Sequence, residues 1–233
     1  MKQYRYFTFF AMLAVTVKIS TIVLIYKMVM LGSYYASAAT LIMPLWFVLG
    51  DIIAEVYGFK LAKQVIYGAL ICQLLFAFAC YGTLALPTPP DWAAHDSYVL
   101  VLSKLPRAAS ASFIAILIGS LLNTYLISRT KILFAGRYFW LRSLLASMIG
   151  EFIFTFIAFI AEFWGVTSTQ HVFQLILISL CVKAIMNPLF ILPASLLTFI
   201  LKERENSDPE IQFVPPTKIT RLSTTHPLSE YQP

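Results

Sequence analysis

The sequence predicts an all-α fold, a polytopic membrane bundle of six transmembrane helices, and three observations predict it. Of the 233 residues, 59% are hydrophobic and 12% charged, and the mean hydropathy is +0.79, above what a soluble domain with a wetted surface sustains. Apolar runs of about 20 residues, the length that crosses roughly 30 Å of hydrocarbon, recur six times along the chain. Lysine and arginine gather in alternate connections, as they do around spans of alternating direction.

The first run lies near Tyr6 to Tyr26, behind Lys2 and Arg5. Ala36 to Ala38, Ala-Ser-Ala, has the small residues of a signal-peptide cleavage site. The apolar run exceeds the roughly 7 to 15 residues of a signal h-region, however, and Lys18 interrupts it, so it reads as a helix that stays. The second run, Ala39 to Phe59, contains Pro44, Asp51 and Glu55, and the third covers Val65 to Leu86. Pro87 to Pro106 follows, rich in proline and aromatics. It is either a lid over the mouth of the bundle or an ordinary connection with Trp92 at the interface. The fourth run spans Ala108 to Ser128, the fifth Leu141 to Val166, and the sixth Val172 to Leu201, with Pro188 removing a backbone donor inside it. These spans form one transporter-sized domain, residues 1–201. From Lys202 to Pro233 the chain is polar and predicts a disordered cytoplasmic tail.

Placing the N-terminus in the cytoplasm puts Lys2, Arg5, Lys60, Lys63, Arg129, Lys131, Arg137, Arg142, Lys202 and Arg204 inside, against Lys27, Lys104 and Arg107 outside. Both termini are therefore expected in the cytoplasm. The net charge of +6 reads as topology signal and contact with anionic lipid, and no nucleic-acid partner is expected. Cys72, Cys80 and Cys181 lack metal-ligand spacing and are expected as small buried hydrophobes. No metal and no cofactor is predicted.

Charges at membrane depth are the informative feature, because each costs roughly 2.5 to 3.5 kcal/mol to insert even on the lenient scale. Asp51 and Glu55 share a helix face at i and i+4. On the fifth span Ser143, Ser147, Glu151, Thr155, Ala158 and Glu162 make one narrow stripe. On the sixth, Ser179, Lys183 and Asn187 make another, and the fourth adds Gly119, Asn123 and Thr124. At about 1.5 Å per residue, Asp51 and Glu151 lie about 12 and about 14 Å from the cytoplasmic ends of their helices. The pairs Gly50-Asp51 and Gly150-Glu151 divide the spans into two sets of three, readable as an inverted repeat. The polar stripes are thus expected to meet around a central watered pocket between the second, fourth, fifth and sixth spans, with Asp51 and Glu151 as its anchors. Glu55 is expected to pair with Lys60 or Lys63, and Lys18 and Lys183 to serve as counter-ions, or Lys18 to reach an interface.

The strings "PLWFVLGDIIAEVYGFK", "RAASASFIAILIGSLLNTYLISRTK" and "GRYFWLRSLLASMIGE" resemble the queuosine-precursor transporter family, the vitamin-uptake type, over about Lys18 to Leu201. The resemblance implies a bacterial inner-membrane importer of 7-deazaguanine bases for tRNA modification: 7-cyano-7-deazaguanine, 7-aminomethyl-7-deazaguanine or queuine. It places Asp51, Glu55, Tyr57 and Gly58 in the family's second-span signature, Arg107, Ser110 and Asn123 in its fourth-span pattern, and Arg142 before the fifth span. Phe154-Thr155 stands where many relatives carry Asp followed by Thr or Ser, a departure that bears on which deazapurine is carried. The substrate-binding set is then Asp51, Glu55, Tyr57, Arg107, Asn123, Glu151, Thr155, Lys183 and Asn187.

A guanine-like base suits such residues. Its ring N–H and exocyclic amine form a donor pair that one carboxylate accepts in bidentate fashion, and its flat face stacks on rings such as Trp46, Phe47, Tyr57 or Phe154. No Walker A string is present, so transport is passive, proton-coupled, or driven by a separate energy-coupling module; a homo-oligomer is also compatible. The other readings are an importer of a different vitamin-like heterocycle and an intramembrane aspartyl protease. For the protease, "VLGD" lacks the first glycine of G-x-G-D, and Asp51 would need Glu151 as its partner. His95, His171 and His226 lie outside the spans, which leaves no serine triad.

Overall fold

The computed structural model describes residues 4–32, 34–134, 136–163 and 165–205. Seven helices and one hairpin follow in order: α1 (Phe7–Leu24), β1 (Met28–Leu31), β2 (Tyr34–Ser37), α2 (Ala39–Tyr57), α3 (Phe59–Gly82), a 3₁₀ turn (Thr83–Ala85), α4 (His95–Leu102), α5 (Leu105–Leu133), α6 (Phe139–Phe163) and α7 (Thr169–Arg204). Six segments are long and apolar enough to cross a membrane, α4 and α5 together forming the fourth. The six expected spans are therefore present, each with shifted ends. One end of the bundle carries the first described residues and the end of α7. The other carries the antiparallel hairpin, in which Met28 faces Ser37 and Leu31 faces Tyr34.

Helix α2 is the axis. It packs against α1, α3, α5, α6 and α7, and nearly every residue from Met43 to Tyr57 is buried. Large apolar side chains such as Phe9, Leu75, Ile185 and Leu192 cover the outside, which is the surface that hydrocarbon solvates. The carboxylates of "LGDIIAEVYGFK" thus sit on the helix farthest from lipid, where neighbouring helices can supply donors.

Two backbone features set this packing. Gly58 joins α2 directly to α3 at φ +88° and ψ 166°, a region that essentially only glycine enters, so the chain reverses without the loop expected between the second and third spans. Gly119 and Gly150 let α5 and α6 touch: a Cβ on Gly119 would lie 2.7 Å from the Gly150 carbonyl oxygen, and one on Gly150 would lie 2.8 Å from the Gly119 carbonyl oxygen and 2.8 Å from Asn123 Cβ. This is the small-residue crossing that substitutes for hydrophobic drive inside a bilayer. Gly150→Leu is expected to push α5 and α6 apart and lower the thermal midpoint in detergent, whereas Gly50→Ala, with nothing within 4 Å of its added carbon, leaves it unchanged.

That contrast also separates Gly50 from Gly150, and helix neighbours do not exchange as a two-fold axis would require: α2 packs on α7, but α6 has no matching contact with α3. These contacts do not confirm the inverted repeat expected from the sequence. Pro87 to Pro106 forms no lid over the bundle, since α4 buries none of its residues and lies beside α3. The cysteines depart as well: Cys72 and Cys181 are exposed on the outer face and Cys80 is half-buried, because apolar lipid accepts a small thiol as readily as a core does. Helix α7 runs through Pro188 and Pro193 to Arg204, and Glu205 is buried, so residues 202–205 belong to the bundle and not to the tail. The remainder of the predicted tail, 206–233, lies outside the described residues.

Candidate functional site

Every polar member of the expected stripes is buried, from Ser143, Ser147, Glu151, Thr155 and Glu162 on α6 to Ser179, Lys183 and Asn187 on α7. They do not converge on one point. They form layers along the bundle, and each layer has a distinct chemistry.

At the terminus end Glu55 is the hub. Arg142 grips it in bidentate fashion, Nη1 to Oε2 and Nη2 to Oε1 at 3.1 Å each, and Lys202 from α7 also donates to Oε1. Lys131 donates to the Glu55 carbonyl at 2.6 Å, and Arg142 further donates to the carbonyl oxygens of Arg137 and Ile127. Glu55 therefore pairs with Arg142 and Lys202, not with Lys60 or Lys63, which lie past the Gly58 reversal. Next to it, Tyr57 donates to Glu205 at 3.3 Å, and Glu205 accepts from the Arg5 and Tyr6 amides at 3.2 and 2.8 Å. The Tyr57 ring meets Tyr4 and Phe7 edge-on. These contacts stitch α2, α5, α6 and α7 to the chain before α1 and close this end. Glu55 and Tyr57 line none of the cavities described below.

One turn deeper, Asp51 Oδ1 accepts from Asn123 Nδ2, and Oδ2 accepts from Ser143 and, at 2.9 Å, from Ser147. Three donors from α5 and α6 saturate the carboxylate. In this arrangement Asp51 is an acceptor that pins the Gly119–Gly150 crossing. Asp51→Asn is expected to lower stability by about 1–3 kcal/mol, the loss of charge-assisted bonds at a buried acceptor, read as the shift of a denaturation midpoint. Asp51 shares no hydrogen bond with Glu151.

Glu151 differs. It is 1% exposed, yet neither carboxylate oxygen has a partner of good hydrogen-bond geometry, the Asn187 side chain beside it making only a looser approach, and Asn187 Oδ1 has none either. Both residues line an open groove of about 290 Å³ between α6 and α7, together with Lys183 and the outward-facing Met148, Phe152 and Cys181. Lys183 is the charged group that acts most strongly on Glu151, and its Nζ donates to Thr155 Oγ1 at 2.7 Å while standing 4.9 Å over the Phe154 ring. Three buried acceptors without donors are rare in a folded protein. Their clustering around one space, with an ammonium beside them, makes a site for a ligand that brings donors.

Lys183 also lines a second, tight cavity, of about 30 Å³, toward the hairpin end. Lys18, Thr21, Thr40, Ser112 and Phe154 line it too. Lys18 Nζ donates to Thr21 Oγ1 at 3.1 Å, and Thr40 and Ser179 bond at 2.9 Å. The first approaches the size of small-molecule pockets, roughly 300 to 1,000 Å³, whereas the second has room for only a small group. Near the hairpin, Tyr26 donates to Glu162, and Lys104 stands over the Tyr26 ring.

Of the expected binding set, the structure brings together Glu151, Thr155, Lys183 and Asn187. Asn123 goes with Asp51, Glu55 and Tyr57 close the terminus end, and Arg107 and Ser110 are exposed on α5. Among the rings considered for stacking, Phe154 lines the second cavity, Phe47 meets it edge-on at 6.1 Å, and Trp46 donates to Ser120 at 2.9 Å. Lys18 emerges as a cavity residue, its signal being a charge in mid-span. No signal in the sequence pointed to Lys202 or Glu205.

The family model described as "Putative vitamin uptake transporter" matches residues 37–198. The "Queuosine precursor transporter" of Escherichia coli (strain K12) is 24% identical over 164 residues, covering 68% of this chain and 72% of that protein. No solved structure matches.

Proposed function

Because the chain belongs to the vitamin uptake transporter family, a multi-pass membrane transporter and not an enzyme, we propose that it imports queuosine precursors, 7-deazaguanine bases, across a bacterial inner membrane for tRNA modification. The observation that carries this reading is the unsatisfied trio at Glu151 and Asn187 beside Lys183. A deazaguanine presents amine, ring N–H and carbonyl in a row. Glu151 accepts from the first two with its two oxygens, Lys183 donates to the third, and Asn187 accepts the second amine hydrogen. This acceptor, acceptor, donor order matches a guanine edge and mismatches an adenine edge, whose amine would face Lys183. Phe154 and Phe152 provide apolar faces for the ring.

In this reading the Glu55–Arg142–Lys202 network is the gate at the cytoplasmic end, and the basic residues gathered there support both termini being cytoplasmic. Alternating access then means breaking that network while the hairpin end closes. An unpaired glutamate in the path is also a natural proton carrier. The test is expression in a host without deazaguanine synthesis and without its own importer, supplied with each base in turn, with queuosine in tRNA as the readout. Restored queuosine is expected; its absence with every base, from a protein that reaches the membrane, would refute the reading.

A further inference from the structure

We propose that Lys18 reads the substituent at the seven position of the base and selects the neutral nitrile over the cationic aminomethyl group. The inference rests on the reading above, in which Lys183 meets the base carbonyl. In a 7-deazaguanine the carbonyl and the seven-substituent leave the ring along the same edge. A carbonyl on Lys183 therefore directs the substituent into the second cavity, which Lys183 shares with Lys18.

The chemistry of that cavity is one-sided. Lys18 is 1% exposed, donates one hydrogen to Thr21, and has no carboxylate within 4 Å among the described residues. Thr21 is itself committed, donating to the Lys18 carbonyl at 2.7 Å. The two lysines are near enough for their charges to act on each other. Around them stand Ile22, Ile25, Met43, Ala158 and Phe159, which neither donate nor accept, and the hydroxyls of Ser37, Thr40 and Ser112, which carry no charge and are already bonded to Ile25, Ser179 and Ala109. The nearby acids do not offset this: Glu151 stands with Lys183 in the other space, and Glu162 is held by Tyr26 and does not line the cavity. A nitrile nitrogen in the cavity accepts a free hydrogen of Lys18. An ammonium there meets a second ammonium, finds no anion, and has lost its water.

The experiment is uptake of radiolabelled 7-cyano- and 7-aminomethyl-7-deazaguanine into proteoliposomes holding the full-length protein. The wild type is expected to prefer the nitrile by about tenfold or more, as one mispaired buried charge dictates. Lys18→Met is expected to narrow the preference by about threefold or more, and Lys18→Glu to reverse the order. Lys18→Gln, which keeps a donor without the charge, serves as a second variant and should lower the preference while retaining nitrile uptake. Equal wild-type rates, or a preference that survives Lys18→Met and Lys18→Gln, would overturn the inference alone. Transport of neither base nor of queuine would overturn the underlying reading together with it.

Discussion

Glu151→Gln is expected to reduce the initial rate of deazaguanine uptake by roughly 100-fold or more while the protein still inserts and keeps its thermal midpoint. The glutamine amide occupies the same volume, so the packing of α6 on α7 is preserved. Its nitrogen, however, aims a donor at the donor pair of the base, which removes one bond and opposes another. At about 1–3 kcal/mol for each buried group left unpaired, two such losses bring the rate close to background. Stability changes little, because the attraction of the Glu151 carboxylate to Lys183 that is lost is offset by relief from burying an ionised group without close hydrogen bonds. A merely structural glutamate would show the opposite pattern, with lower stability and normal uptake in the surviving protein. Uptake rate and melting temperature from the same preparation separate the two.

Arg142→Ala is expected to be the most destabilising single change at the terminus end, by about 3–5 kcal/mol, the cost of stranding a buried charge whose partner is removed. Arg142 supplies two bonds to Glu55 and further bonds to the carbonyl oxygens of Ile127 on α5 and Arg137 in the α5–α6 connection. Removing it leaves Glu55 to Lys202 and frees those carbonyls in one step. The double variant Glu55→Leu with Arg142→Leu is expected to recover much of the loss, since two apolar side chains can replace an ion pair. It should nevertheless transport poorly, because the end of the bundle would be sealed by hydrocarbon contacts with no charge to release. Thermal unfolding in detergent reads the first effect, and proteoliposome uptake reads the second.

The six spans were legible because lipid demands length and apolarity, and the buried stripes on α6 and α7 were legible because intramembrane polar residues must face inward. Helical spacing alone placed Ser143, Ser147, Glu151 and Thr155 on one face, and all four are buried. It did not say which acceptor would be filled. Asp51 and Glu151 look alike in sequence, yet Asp51 meets three donors across the α5–α6 crossing and Glu151 meets none. That difference is created by the contact of Gly119 with Gly150, a tertiary fact. The partners of Glu55 were hidden for a related reason: Arg142 and Lys202 are 87 and 147 residues away along the chain, while the nearer lysines are carried off by the Gly58 reversal. The outward cysteines were illegible because a membrane protein is apolar on both sides of each helix, so hydrophobicity does not distinguish lipid from core.

The central claim is that Glu151 reads the donor edge of the base. The most direct test is the affinity of purified protein in lipid nanodiscs for 7-cyano-7-deazaguanine and for the same compound without its exocyclic amine, measured for wild type and Glu151→Gln. The account predicts that the wild type binds the amine-bearing base about tenfold or more tightly, and that Glu151→Gln shows little or no such preference. A wild type indifferent to the amine, or a variant that keeps the full preference, would contradict it.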